Sequence, residues 1–80
     1  MDKKFRIIGR TNGWIAARDS QFKGKTEIVI ADNLTLKEAQ RKLLSMFIEC
    51  YDAYPTFDDG TRCFDYDGRT FSIEEEEEIN

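Results

Sequence analysis

Residues 34–39, LTLKEA, constrain the fold more than any other part of this chain. Thr35 is placed to cap a helix with its hydroxyl, Glu38 three positions on completes a capping box, and Leu34 sits where it can staple onto Ala39. Behind this start, Leu36, Ala39, Leu43, Phe47, Cys50 and Tyr54 recur at intervals of three and four, and Leu44, Ile48 and Tyr51 widen the stripe. The spacing predicts one amphipathic helix over 35–54, closed by Pro55, because the residue before a proline is driven out of helical geometry. A chain of 80 residues buries only about 60% of its unfolded surface, so the helix must share a single small core with whatever surrounds it.

What surrounds it reads as strand. FRIIGR and WIAARDS flank Asn12-Gly13, a strong type I′ turn signal, because both turn positions need positive φ. A two-residue turn there sets Phe5, Ile7, Gly9, Trp14 and Ala16 on one face. The other face takes Arg6, Ile8, Arg10, Ile15, Ala17 and Asp19, with Arg6 opposite Asp19. A polar connector around SQFKGK, turning at Gly24, leads to a third strand, KTEIVIA. After the helix, TFDDGTR reads as a turn and TRCFDYDGRTFSIE as a second hairpin about Asp67-Gly68. That pairing puts Phe64 opposite Phe71 and Tyr66 opposite Arg69. Phe64, Tyr66, Phe71 and Ile73 then share an apolar side, and Cys63, Asp65, Thr70 and Ser72 a polar one. The expected class is α+β: an antiparallel sheet of about five strands in the order βββαββ, the helix across one face, residues 1–80 forming a single domain and 75–80 a frayed acidic tail.

Several functions are disfavoured by composition. The chain has no histidine, which removes the commonest general base, the commonest zinc ligand and the usual partner of a nucleophilic serine or cysteine, so no enzyme is expected. Cys50 and Cys63 have no metal-ligand spacing and are too few for a disulfide framework. Cys50 falls on the apolar helix stripe, Cys63 on the polar hairpin face. The sequence DYDG echoes part of a calcium loop without its other ligands, so Asp58, Asp59, Asp65 and Asp67 read as turn residues with Gly60 and Gly68. No cofactor is expected. Neither a signal-peptide core nor a membrane-length apolar run is present, which implies a cytoplasmic protein without a membrane partner.

Charge is divided along the chain. Residues 1–45 carry ten basic against five acidic side chains, and residues 46–80 two against eleven. The run Glu74, Glu75, Glu76, Glu77 and Glu78 is therefore the candidate contact for a partner protein with a basic surface. Regular pairing of the last strand is expected to fail near Glu74 or Glu75 through like-charge repulsion, unless a basic strand lies alongside. The leading expectation is a small non-enzymatic interaction module that uses this acidic hairpin and tail. Replacing Glu74 to Glu78 by glutamine is expected to leave its fold intact.

The alternative is nucleic-acid binding by the basic first half. The opening strands followed by TLKEAQRKL resemble, over residues 5–48, the small DNA-binding domain at the N-terminus of tyrosine-type integrases, with GWIAARD in its second strand. That resemblance implies a sheet face in the major groove, with Arg10, Trp14, Arg18 and Lys25 as contacts; Arg6 joins them from the charge pattern. Glu27 departs from such a basic face. Trp14, Tyr51, Tyr54 and Tyr66 are the aromatic residues able to anchor a partner. Homodimerisation through basic-to-acidic contact or an open strand edge is also compatible with the sequence.

Overall fold

Two strands from opposite ends of the chain lie side by side in the middle of one sheet. The computed structural model describes residues 3–58 and 60–76. It contains β1 (Phe5–Arg10), a short helix α1 (Gly13–Ala16), β2 (Glu27–Leu34), the long helix α2 (Leu36–Tyr51), β3 (Cys63–Tyr66) and β4 (Arg69–Glu75). The four strands pair antiparallel in the order β2-β1-β4-β3, and α2 packs against them. This is an α+β fold with the strand and long-helix order ββαββ, one strand fewer than the sequence implies.

The missing strand is the one expected after Asn12-Gly13. A type I′ turn requires positive φ at both residues, but Asn12 is extended, at φ −89 and ψ 167, and its side chain accepts a hydrogen bond from the Ile15 amide as a helix N-cap. Asparagine serves either role locally. The N-cap is chosen because β1 already has a partner on each side, leaving no free edge of β1 for residues 14–19 to pair with. The connection instead winds through α1 and a series of turns, with Lys23 and Gly24 at positive φ, and drops Ala16 and Phe22 into the core with no exposed surface. Arg6 consequently faces Glu74, not Asp19.

Elsewhere local chemistry and structure agree. Thr35 and Glu38 form the expected reciprocal capping box, and Leu34 packs against the cluster that contains Ala39. Helix α2 ends at Tyr51, short of the expected 54: Asp52 adopts left-handed geometry at φ 52 and ψ 41, so the helix stops before Pro55 can act. Tyr54 is therefore outside the stripe and exposed. The second hairpin has the expected register, Phe64 opposite Phe71 and Tyr66 opposite Arg69, with Asp67 and Gly68 both at positive φ.

The core lies between α2 and one sheet face. Phe5, Ile7, Phe64, Phe71 and Ile73 from the strands meet Ala39 and Leu43 from α2, closed at one end by Ala16 and Phe22. Fully burying Leu43 or Ile7 contributes roughly 1.5–3 kcal/mol each. Phe47 links the helix to the hairpin through edge contacts with Phe57 and Phe64. The opposite sheet face carries no helix; Arg6, Arg10, Ser72 and Glu74 lie on it around Ile8, which is buried.

Candidate interaction surface

The charge division seen in sequence is resolved inside the sheet. The Arg10 guanidinium lies 2.8 Å from Glu27 on β2 and 2.5 Å from Glu74 on β4, and it also donates to Ser72 Oγ. Glu74 stands opposite Arg6 and Glu75 opposite Phe5 in unbroken register. Lys3 is 3.8 Å from the Glu75 carboxylate, the Glu76 amide donates to the Lys4 carbonyl, and the Glu76 carboxylate accepts from the Asn33 amide. Pairing through Glu74 and Glu75 thus holds because the neighbouring strand is the basic one. Glu75 and Glu76, assigned from sequence to a frayed tail, belong to this edge-to-middle network. Glu77 and Glu78 lie outside the described residues.

This arrangement has a pH consequence. The hydrogen bond from Arg10 holds the Glu74 carboxyl below its ordinary value of 4.5, and that from Arg69 lowers Asp19 from 3.8. A carboxylate with a depressed folded-state pKa stabilises the fold above its unfolded value, and that stabilisation is lost as pH falls through the folded one. Thermal unfolding followed from pH 7 downward is therefore expected to show stability dropping below about pH 4.5, with a flatter profile for Glu74→Gln. Superimposable profiles would show that the Arg10–Glu74 pair adds nothing. Because of this pair, replacing Glu74 within the glutamate run is expected to lower the stability of the fold.

The basic candidates are dispersed by the loss of the second strand. Arg6 and Arg10 face the carboxylates of the open sheet face, Lys25 lies in the loop before β2, and only Trp14 and Arg18 meet. The three-stranded basic face implied by the integrase resemblance is not formed. In its place α1 and the tip of the β3–β4 hairpin build a corner. Trp14 is 68% exposed, and the Arg18 guanidinium sits 4.0 Å above the centre of its ring. A concavity of about 240 Å³ beside it is lined by Trp14, Ile15, Arg18, Asp67 and Arg69.

Four contacts tie this corner together. Arg69 donates to Asp19 at 2.7 Å, with both side chains largely buried, and also to the Asp67 carbonyl. Thr11 Oγ1 donates to the Gly68 carbonyl. Ile15 packs so closely on Gly68 that a Cβ there would come within 2.5 Å of its Cδ1. Asp19, Arg69 and Ile15 were not legible as site residues, since their partners stand some fifty positions away and no local pattern marks them.

The remaining candidates have plainer places. Tyr51 stacks between Phe47 and Tyr66 and its hydroxyl donates to the Asp65 carbonyl. Tyr66 is half-buried, and Tyr54 is exposed beyond the helix end. Cys50 and Cys63 are both free; Cys50 is packed against the core, where burial raises its thiol pKa, and Cys63 is exposed. Asp58 accepts from the Gly60 amide as a turn residue. Among the described residues no group of His, Cys, Asp or Glu is arranged to hold a metal ion, and no helix is long and apolar enough to cross a membrane.

The fold and this corner define a small α+β domain with a four-stranded antiparallel sheet and an exposed tryptophan at one end. Comparison with known protein families, with characterised proteins and with solved structures finds no match to the chain.

Proposed function

We propose that the chain is a small, non-enzymatic, cytoplasmic binding module that engages another protein through the corner of α1 and the hairpin tip. The observation that supports it is Trp14. A domain this small needs its aromatic residues in the core, yet its single tryptophan is solvated, held flat under Arg18 and set on a rigid base. Tryptophan and arginine beside a small pocket are the residue types that dominate interface energetics. Asp67 is exposed at the hairpin tip beside Arg18 and Arg69, so the corner sets charges of both signs around an apolar contact.

The expected result is that Trp14→Ala unfolds within about 0.5 kcal/mol of the parent, since the side chain is solvated. It should nevertheless weaken binding of a partner captured by the parent by about 30-fold or more, a hot-spot loss of about 2 kcal/mol. Parent-level affinity in the variant would overturn this assignment. Arg18 has no carboxylate partner among the described residues, which favours nucleic acid as the second reading, with bases stacking on Trp14 and phosphate on Arg18. Salt-sensitive quenching of Trp14 fluorescence by single-stranded DNA or RNA would select that reading over the first.

A further inference from the structure

The sheet has two edges, and one of them is covered in part. At the β3 edge, the bond from the Ile73 amide to the Arg62 carbonyl fixes the ladder so that Cys63 and Asp65 turn their backbone groups outward. The Tyr51 hydroxyl covers the Asp65 carbonyl there. At the β2 edge, the Thr11 amide bonds the Thr26 carbonyl, so by alternation Gly9 and Ile28 form the next bonded pair, while Glu27 and Val29 point their N–H and C=O groups away from β1. Val29 on this edge is 53% exposed. Charged side chains usually guard such an edge. Here the Glu27 carboxylate is turned aside to Arg10. A concavity of about 540 Å³ along this edge is lined by Gln21, Phe22, Lys23, Lys25 and the residues of β2 up to Ile30.

We infer that β2 pairs antiparallel with β2 of a second copy about a twofold axis at Val29, joining two sheets into one of eight strands. Charge selects the occupant and the register. Lys23 and Lys25 precede β2, while Asp32 and the Glu76 carboxylate, bonded to the Asn33 amide, lie at its far end. Antiparallel self-pairing therefore brings Lys23 and Lys25 of each copy towards Asp32 and Glu76 of the other, twice per dimer. Centring on Val29 places Glu27 opposite the irregular Ile30–Ala31 step, where β2 shifts register against β1. A Glu27-centred register would oppose two like charges. The β-branched Val29 side chains meet on the open face. This surface shares no lining residue with the Trp14 corner and does not depend on it.

Sedimentation equilibrium of the full chain from micromolar to millimolar concentration tests the pairing. The expected mass at the upper end is twice 9.4 kDa. Val29→Lys, which sets two like charges on the axis, should return it to one chain with unchanged circular dichroism. Lys25→Glu should raise the dimer dissociation constant at least tenfold, and adding Asp32→Lys should bring it back. A parent that stays a single chain throughout, or a dimer indifferent to both Val29→Lys and Lys25→Glu, would overturn the inference. Loss on Lys25→Glu without recovery in the double variant would overturn the register.

Discussion

Phe22→Ala is expected to destabilise the fold by about 3–5 kcal/mol, the range for truncating a fully buried aromatic side chain. Phe22 lies in no regular element, yet it has no exposed surface and closes the end of the core beside Ala16. Its ring lies so near the backbone of β1 that a Cβ on Gly9 would stand 3.3 Å from the ring tip, so glycine at that position admits the ring to the sheet. A domain of this length has a total stability of roughly 4–12 kcal/mol, so the loss would leave a large unfolded fraction at moderate urea concentration. Urea unfolding followed by circular dichroism measures it, with the exposed neighbour change Gln21→Ala as control. A change below about 1 kcal/mol for Phe22→Ala would mean that the connection after α1 does not belong to the core.

Gly68→Val is expected to cost about 2–5 kcal/mol, from two sources. Gly68 sits at φ +80, where a β-branched residue is strained by about 1–2 kcal/mol, and its Cβ would overlap Ile15 Cδ1, an overpacking penalty of about 1–3 kcal/mol. The two sources separate in a cycle. Gly68→Ala combined with Ile15→Ala should be less destabilising than the sum of the single changes, because removing the Ile15 side chain relieves the overlap but not the backbone strain. Strict additivity would show that the hairpin tip and α1 are not packed together, and the rigid base under Trp14 would go with it.

These two residues also mark the boundary between what could be read locally and what could not. The capping box of Thr35 and Glu38 and the Asp67-Gly68 turn are settled within four residues, and both appear in the structure as the sequence implies. The apolar alternation of β1, β3 and β4 and the helix stripe from Leu36 to Cys50 likewise place the core correctly, because burial on one face imposes its period on the sequence. Phe22 was hidden in a stretch whose other residues are polar, and its burial depends on a gap beside Gly9 that exists only after the strands assemble.

Asn12-Gly13 and the glutamate run were decided at longer range. Asparagine before glycine serves a tight hairpin or a helix N-cap with similar ease, and the choice falls to the pairing of β1 with β4, about sixty positions away in sequence. The glutamates repel one another in isolation, but beside Lys3, Lys4 and Arg10 they extend the ladder through Glu75 and reach Asn33 through Glu76. The sequence by itself determined the long helix, the second hairpin, the core face and the division of charge, because each rests on neighbouring residues or on a simple period. Tertiary structure alone decided that the two charged ends lie side by side, that Trp14 leaves the sheet for an exposed corner, and that β2 is left as an open edge, because all three follow from strand order, which local chemistry does not encode.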